Sequence, residues 1–380
     1  MLFVFSEYEG EIPLQVEEPL IELRGGMSML CLEPDYLADF FCDGQRCGAQ
    51  CCRIWTVFVD GETFGRFGEL PEDWQREIKA RLSPGQGEQE PWYWDFGKAK
   101  VCHFLREDCL CGIQKAHGER YLSNTCAIYP RKQVNIGGNL HRSLSLSCPL
   151  AAELVVFRDS PVRFHWQEIE PDRPAGWQKI ACREGEEGVA ASCLLLQDTG
   201  LSILQQQGRP LRERLGGLLS YLEEADRAVE AGDFEKLLQL ADEYSHGGGR
   251  CSGGFGWEIE KSFPGLKAAL ALPESENQRL KALHEIEPPH PQGTSLPPLE
   301  LMLENILVSE YLTQLFPCTL GGTLAHNGRA FLALAMLYRE ALLPHCEAGS
   351  QAGLLLSVSR LSTLMGHDKN WQETLSENIP

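Results

Sequence analysis

Apolar residues recur at helical spacing in the second half of the chain. Between Pro210 and Tyr244 they return every three or four positions, which is the period of one face of an α-helix. Gly232 and Asp233 interrupt this pattern, and they are typical of a helix C-terminus and of the N-cap of the next helix. The stretch therefore predicts two helices that are joined by a tight turn.

Further apolar stretches follow toward the C-terminus. Residues 299–316 and 330–343 predict two long helices, and Pro344 would end the second because proline lacks the N–H that a helix interior needs. Residues 352–365 predict one more helix. We therefore expect this part of the chain to be helical.

The first half of the chain predicts shorter elements of both kinds. Residues 34–40 begin with Pro-Asp, a favourable start for a short helix, and residues 71–82 carry apolar positions at helical spacing. Residues 53–59 are rich in β-branched and aromatic side chains, which favour a strand. Residues 134–146 predict two short strands around a Gly-Gly turn. The expected fold is mainly α with small β elements, in the α+β class.

The composition is that of a globular protein. Hydrophobic residues make up 43% of the chain and charged residues 23%. The length of 380 residues is enough for more than one domain. The net charge of −20 would repel nucleic acids and anionic lipids, so we expect neither as a partner. No apolar run reaches the roughly 18 residues of a membrane span, and the acidic N-terminus is unlike a signal peptide. We therefore expect a cytoplasmic protein.

Fifteen cysteines add a candidate chemistry. In a cytoplasmic chain, so many thiols indicate metal binding more than a disulfide framework. Four of them, Cys42, Cys47, Cys51 and Cys52, lie in one short stretch. On a helix Cys47 and Cys51 would share a face, whereas Cys51 and Cys52 would point about 100° apart. The four are therefore not expected to form a self-contained site, because one of the adjacent pair would serve another ligand set or pack in the core.

A second block of cysteines would complete the ligand set. The predicted metal ligands from both blocks are Cys42, Cys47, Cys51, Cys52, Cys102, Cys111, Cys126 and Cys148. The absence of any C-x2-C pair argues against a zinc ribbon, but the residues leave both zinc and an iron–sulfur cluster open. The bound metal would tie the two blocks together, so its loss would unfold residues 31–150 as one unit.

Six further cysteines are expected to be buried apolar residues, as is common outside a ligand set. This expectation concerns Cys31, Cys182, Cys193, Cys251, Cys318 and Cys346.

These features divide the chain into four expected regions. They are an N-terminal extension at 1–26, a cysteine-cluster domain at 27–157, a helical middle region at 158–298 and a helical C-terminal region at 299–380. The middle region contains Gly- and Pro-rich stretches that predict loops, and the stretch 171–188 also predicts a loop.

Both cysteine blocks resemble the signature of the flagellin lysine N-methylase (FliB) family, which is related to YkgJ-type cysteine-cluster proteins. The segments that carry the resemblance are Phe41–Cys52, Cys102–Leu105, Leu110–Gln114, Gly118–Leu122, Cys126–Arg131 and Ser143–Pro149. Weaker resemblance near the C-terminus is carried by Leu303–Tyr311, Leu315–Pro317, Ser359-Arg360 and Gly366–Asp368. There the chain departs from the family at Ile306 for an aromatic residue, Gly366 for glutamate and Asp368 for asparagine.

The resemblance implies a methylase. It implies transfer of methyl groups from S-adenosylmethionine to the lysine ε-amines of flagellin, and an iron–sulfur cluster, 4Fe-4S, on the cysteine signature. The G-x-G-x-x-G motif of Rossmann methyltransferases and the C-x3-C-x2-C motif of radical enzymes are both absent, so the methyl-donor pocket and the catalytic residues stay unassigned. The helical C-terminal region would help to hold flagellin. The alternative is a non-catalytic zinc- or iron-binding cysteine-cluster protein.

Two residues just after Cys126 are candidates for cofactor binding. Arg131 could pair with a cofactor carboxylate or with an anionic cluster, and its other interpretation is a surface arginine in a turn fixed by Pro130. Tyr129 offers an aromatic face that suits a methylated ammonium, and its other interpretation is core packing.

Overall fold

The architecture is that of a computed structural model. It describes residues 29–54, 57–85, 91–96, 101–169, 179–180, 187–249, 256–266, 296–319, 322–367 and 369–379. The predicted extension at 1–26 lies outside these residues, as does most of the predicted loop at 171–188. The described residues are mainly helical with small sheets, so the expected α+β class is confirmed.

The described strands form two sheets. The strands are β1 (Met29–Pro34), β2 (Phe58–Val59), β3 (Leu82–Pro84), β4 (Trp92–Trp94), β5 (Arg131–Ile136), β6 (Asn139–Leu144), β7 (Phe164–Ile169) and β8 (Lys179–Ile180). The larger sheet has the strand order β7-β1-β6-β5-β8, and the smaller sheet has the order β2-β4-β3.

A tight hairpin joins β5 to β6, as the Gly-Gly pair predicted. Ile136 pairs with Asn139, and Gly137 and Gly138 make the turn with φ angles of 57° and 88°. Residues with a Cβ rarely adopt such angles, so glycine suits both positions. Strand β1 lies parallel to β6, and β7 pairs antiparallel with β1 at the sheet edge. The larger sheet therefore takes its outer strand from beyond residue 157.

The smaller sheet borders a hydrophobic core of its own, which we call the minor core. Its buried members are Val57, Val59, Phe67, Leu70, Ile78, Trp94, Phe104 and Ile113. Among the described residues, the strand predicted at 53–59 is only partly present, because Cys51–Ile54 is a short helix and Phe58–Val59 forms the strand. The N–H groups of Cys52 and Arg53 bond the carbonyls of Ala49 and Gln50 and so start the helical turn.

Helices form most of the remaining described structure. They are α1 (Cys51–Ile54), α2 (Gly61–Arg66), α3 (Glu72–Lys79), α4 (Gly112–His117), α5 (Asn124–Ile128), α6 (Pro149–Val156), α7 (Glu187–Leu204), α8 (Leu211–Glu230), α9 (Phe234–Ser245), α10 (Ile259–Ser262), α11 (Leu299–Thr313), α12 (Leu324–Ala348), α13 (Gln351–His367) and α14 (Lys369–Glu377). A 3-10 helix at Asp35–Asp39 matches the short helix predicted at 34–40.

The predicted pair of helices α8 and α9 is confirmed. Gly232 takes a φ angle of 66° between them, and the Asp233 side chain accepts a hydrogen bond from the Lys236 N–H over 2.9 Å. The glycine and the capping aspartate each act within one turn of the chain, which explains why the sequence predicted these two helices correctly.

The helix around Pro344 differs from the prediction. Helix α12 continues through Pro344 to Ala348, and it ends where Gly349 takes a φ angle of 64° and the Ser350 N–H bonds the His345 carbonyl. Pro344 removes only one hydrogen bond near the end of a long helix, so the helix continues past it. The left-handed conformation of Gly349 turns the chain out of the helix and ends it. Helices α7 and α14 were not predicted. In α7, apolar residues lie on most faces and give no clear period.

The long helices pack around a larger hydrophobic core, which we call the main core. It also includes Leu144 and Leu146 at the end of the larger sheet. Within it, Arg214 of α8 and Glu304 of α11 form an ion pair over 2.8 Å, with at most 4% of either side chain exposed. Asn305 accepts a hydrogen bond from the Val162 N–H over 2.8 Å. None of the described helices combines the length and the apolar character that crossing a membrane requires.

Candidate functional site

All eight predicted ligand cysteines line one cavity, together with Cys109. This cysteine cavity has a volume of about 210 Å³. Its other walls are apolar and include Trp94, Phe104 and Leu122. No two of the described cysteines are joined by a disulfide. The fold therefore gathers nine thiols from both sequence blocks around one partly apolar space.

The first block reaches the cavity through a folded loop. The Asp43 carboxylate accepts hydrogen bonds from the N–H groups of Gln45 and Arg46 over 3.0 and 3.2 Å. The Ala49 N–H bonds the Gly44 carbonyl over 2.8 Å, and Ala49 itself has a φ angle of 50°. These bonds coil the loop before α1, so that Cys42, Cys47, Cys51 and Cys52 all face the cavity.

The second block is attached to the first by backbone and side-chain hydrogen bonds. The Cys102 N–H bonds the Cys52 carbonyl over 2.8 Å. The Asp60 carboxylate accepts bonds from the N–H groups of Thr63, over 2.8 Å, and of Asn124, over 3.1 Å. Because Asp60 caps α2 and Asn124 begins α5, this side chain fixes the helix that carries Cys126.

The remaining ligand candidates sit at turns and helix starts. Cys111 pairs in a bridge with Leu105, and the turn between them places Cys109 at a φ angle of 59°. Cys148 immediately precedes α6, and the Ala152 N–H bonds its carbonyl over 2.9 Å. Cys109 belongs to the second block but was not predicted as a ligand. Its position in a C-x-C pair with Cys111 was the available signal.

The cavity disfavours bare thiolates. The hydrogen bond between Cys52 and Cys102 lowers the pKa of Cys52. Contact with Cys51 and burial have the opposite effect and outweigh it, so this pKa lies well above its ordinary value. Contact with Cys52, followed by burial, likewise raises the pKa of Cys102. Burial raises the pKa of Cys148 to about 12. Thiols of this kind are protonated at neutral pH, and they would ionise on binding a metal cation.

Arg131 lies beside the cysteine cavity. Its guanidinium carbon is 5.0 Å from the centre of the Phe40 ring, and the cation opposes the rise in the Cys42 pKa that burial causes. The side chain is half-buried. This position next to a ligand candidate agrees with pairing to an anionic cluster.

Tyr129 lines the same cavity. Its hydroxyl lies 3.1 Å from the Ser147 Oγ, which in turn lies 2.7 Å from the Ser145 Oγ. Burial raises the pKa of Tyr129 well above its ordinary value, and the neighbouring Cys148 and Cys51 add to the rise. Tyr129 is therefore a neutral phenol. Its hydroxyl is held by the two serine hydroxyl groups that follow β6.

A second cavity is lined by Arg131. We call it the cationic cavity, and its volume is about 510 Å³. Its polar lining consists of Arg131, Lys132, Gln133, Thr313, Gln314, Thr319, Lys369 and Gln372. Gly366, from the C-terminal segment that resembles the family, also lines it, whereas Asp368 lies outside the described residues. Arg131 thus lines the cationic cavity and also acts electrostatically on Cys42 of the cysteine cavity.

Within the ranges given above, no three or more His, Cys, Asp and Glu side chains form a group that could hold one ion. Of the cysteines expected to be core residues, Cys31 and Cys193 are buried, and Cys318 and Cys346 are half-buried against the main core. Cys182 and Cys251 lie outside the described residues.

Comparison with known proteins gives three relatives. The chain is 31% identical over 123 residues to the flagellar biosynthetic protein FliU of Salmonella muenchen, which covers 31% of this chain and 71% of FliU. It is 30% identical over 124 residues to proteins named Lysine-N-methylase from Salmonella typhimurium and Salmonella choleraesuis, but it spans only 30% of their length. No family model matches the chain, and no solved structure matches it. Because the match takes in more than two thirds of FliU, the chain belongs to the lysine N-methylase (FliB) family that these relatives represent.

Proposed function

We propose that this protein is a lysine methylase that transfers methyl groups from S-adenosylmethionine to the lysine ε-amines of flagellin, and that it depends on an iron–sulfur cluster. The observation that carries the proposal is the cysteine cavity, in which thiols from two sequence blocks meet beside Arg131 and Tyr129. The names of the relatives support the choice of reaction and of a flagellar substrate.

The number of thiols in the cysteine cavity supports a cluster. Nine cysteines line the cavity, and a four-iron cluster is held by four of them, each bound to a different iron atom. When bound, the cluster supplies redox-active iron, and the cysteines of the cavity would hold it.

The cationic cavity is our candidate for the methyl-donor pocket. S-adenosylmethionine carries a carboxylate, and the guanidinium of Arg131 and the ammonium of Lys132 line this cavity. The amide side chains of Gln133 and Gln314 add donors and acceptors that suit an adenine ring. Arg131 would then orient the donor while it borders the cysteine cavity.

The acceptor amine must lose a proton before it can be methylated. A lysine ammonium has an ordinary pKa of about 10.4, and an apolar surrounding lowers it by disfavouring the charge. Tyr129 would present its ring to the methylated amine.

Anaerobic purification tests the cluster, and flagellin tests the reaction. We expect a brown protein with iron and sulfide in equal amounts, and a mass increase on flagellin lysines with S-adenosylmethionine.

We expect Arg131→Gln to weaken S-adenosylmethionine binding by about tenfold or more. The matched control is Arg120→Gln, because Arg120 pairs with Glu69 on the surface. Equal binding by Arg131→Gln and the wild type would contradict the donor pocket.

The alternative function is a non-catalytic cysteine-cluster protein that binds zinc or iron. The limited coverage of the lysine-N-methylases favours it, since the match spans 30% of their length. A colourless protein with stoichiometric zinc, and no mass change on flagellin, would replace our first proposal with this one.

A further inference from the structure

Glu310 is a buried carboxylate that stands behind the cationic cavity. It lies in helix α11 and is 0% exposed. Its two oxygens accept hydrogen bonds from the Tyr338 hydroxyl over 3.0 Å and from the Gln314 Nε2 over 2.9 Å. Burying a carboxylate is unfavourable unless its oxygens are hydrogen-bonded, and here both of them are. The second bond leads to the cavity, because Gln314 lines it.

The bond to Glu310 sets the direction of the Gln314 amide. An ionised carboxylate accepts hydrogen bonds and donates none, so the amide must turn its NH2 group toward Glu310. Gly366, which also lines the cavity, lies against the same nitrogen, since a Cβ at Gly366 would be 3.5 Å from Nε2. Nε2 is thus held between Glu310 and helix α13. The carbonyl oxygen Oε1 is the end of the amide that is left for a ligand.

Gln133 gives the cavity a second carbonyl oxygen that awaits a donor. Its side chain lines the cavity, and the residue is only 7% exposed. Among the residues that the structure describes, none donates a hydrogen bond to its Oε1. A buried acceptor without a partner is unfavourable, so a ligand that brings N–H groups is favoured over a simple anion. The cavity therefore combines cationic side chains with two acceptors.

S-adenosylmethionine carries groups that match this combination. Its carboxylate would pair with Arg131. Its α-ammonium, on the same carbon atom as the carboxylate, would meet Gln133, which lies two residues further along β5. At the other end of the molecule, the N6 amino group of adenine would donate to the Oε1 of Gln314. Hypoxanthine has a carbonyl oxygen in place of this amino group, so it would turn one acceptor toward another.

We propose that Glu310 is a positioning residue that makes the cationic cavity select an adenine base. Glu310 does not touch the methyl donor. It holds the Nε2 of Gln314, so that Oε1 faces the cavity and accepts the N6 amino group. The direction of one amide then decides between adenine and hypoxanthine. This inference rests on the proposed donor pocket and deepens it, because it names the group by which the base of the donor is recognised.

Binding of two product analogues by the full-length protein tests the selection. In isothermal titration calorimetry, we expect the wild type to bind S-adenosylhomocysteine about tenfold or more tightly than S-inosylhomocysteine, because the inosyl base leaves Oε1 without a donor. Equal affinity for the two analogues would overturn the inference and leave the donor pocket standing. Binding of neither analogue would overturn both. Selective binding without any methylation of flagellin would keep the inference and reject the proposed reaction.

Glu310→Gln tests the role of the carboxylate. The new amide has nearly the same shape and can itself donate to Gln314, which is then able to turn and present Nε2 to the cavity. We expect the preference for the adenosyl analogue to fall by about fivefold or more. A merely structural change would weaken the binding of both analogues alike, and an unchanged ratio of the two affinities would overturn the inference.

The matched control is Glu224→Gln. Glu224 also accepts a hydrogen bond from a tyrosine, because the Tyr244 hydroxyl lies 3.0 Å from its Oε1. It is not among the residues that line the cationic cavity. This variant should therefore keep the wild-type ratio of the two affinities. If it lowered the ratio as much as Glu310→Gln does, the effect would not be specific to Glu310 and the inference would fail.

A double substitution tests whether Glu310 acts through Gln314. Gln314→Leu removes Oε1, and we expect it to lower the preference for the adenosyl analogue by about fivefold or more on its own. Adding Glu310→Gln to this variant should change the ratio no further, because the two residues act as one unit. A further fall would show that Glu310 acts by another route. If Glu310→Gln does not fold, as judged by circular dichroism, an unchanged ratio in Gln314→Leu alone overturns the inference.

Discussion

The backbone N–H of Cys102 donates a hydrogen bond to the carbonyl oxygen of Cys52 over 2.8 Å, and so joins the two cysteine blocks without a metal. The Asp60 carboxylate adds a second link between the same parts of the chain. Because these two links do not need a metal, we predict that metal loss loosens the loops that carry the thiols, in contrast to the expectation that residues 31–150 unfold as one unit.

Chelation of the metal should loosen these loops and spare the sheet. We expect trypsin to cut faster at Arg46 and Arg106, which lie in the loops, after anaerobic treatment with a chelator. Lys132 and Arg142 lie in β5 and β6, where paired backbone resists cleavage, and should stay protected. Mass spectrometry of timed digests measures both. Equal acceleration at all four residues would support unfolding of the whole unit instead.

Gly44 is a point where the two blocks touch closely. A Cβ at this position would lie 2.5 Å from the carbonyl oxygen of Cys109. We expect Gly44→Ala to push the two loops apart and to lower the free energy of unfolding by about 1–3 kcal/mol, with loss of bound metal. Urea unfolding and metal analysis measure these effects.

The control for this substitution is Gly65→Ala in helix α2. A Cβ there meets no atom within 4 Å. Alanine favours a helix, so this variant should be neutral or more stable by up to about 1 kcal/mol. If both variants behave alike, the contact between Gly44 and Cys109 has no energetic importance.

His141 makes the stability of the sheet depend on pH. Burial lowers the pKa of His141 to about 4, against roughly 6.5 in the unfolded chain. Below pH 6.5 the unfolded chain therefore binds more protons, and stability falls as the pH decreases toward 4. The full difference is on the order of 3 kcal/mol.

We expect His141→Leu to remove this part of the pH dependence. Urea unfolding at several pH values between 4 and 7, for the wild type and the variant, measures the difference. Burial raises the pKa of Asp198 to about 6, which gives a slope of the opposite sign in both proteins. The comparison therefore isolates the histidine. Parallel curves for the two proteins would show that His141 does not control the effect.

The ion pair between Arg214 and Glu304 should be essential for folding. Glu304→Gln leaves a buried guanidinium without its countercharge, which costs roughly 3–5 kcal/mol. Replacing both residues by apolar ones, Arg214→Met with Glu304→Leu, should recover much of this loss. The matched control is Glu223→Gln, because the pair of Glu223 with Arg329 is partly exposed and contributes less than about 1 kcal/mol.

Denaturant unfolding of these four proteins measures the prediction. Glu304 lies in one of the C-terminal segments that resemble the family. If Glu304→Gln abolished methylation while stability stayed unchanged, this residue would be part of the catalytic machinery rather than of the core.

The sequence predicted the elements whose signals are local. Gly232 and Asp233 mark the turn between α8 and α9, and Gly137-Gly138 marks the hairpin, because each acts within a few residues. The strand β7 was missed, since its partner β1 lies far away in the sequence. Helix α7 was missed for lack of a clear apolar period.

The candidate site was also predicted only in part from the sequence. Thiol spacing identified eight of the nine cysteines in the cavity, because ligand residue type is visible in the sequence. Which hydrophobic core each cysteine packs against was not predictable. Cys47 is a member of the main core and Cys102 packs against the minor core, and this depends on how distant segments of the chain fold together.

The pairing of Met29 with Ile169 means that the cysteine-bearing part of the chain starts and ends at one place. A segment with adjacent ends can be exchanged between proteins during evolution without separating the parts of its host.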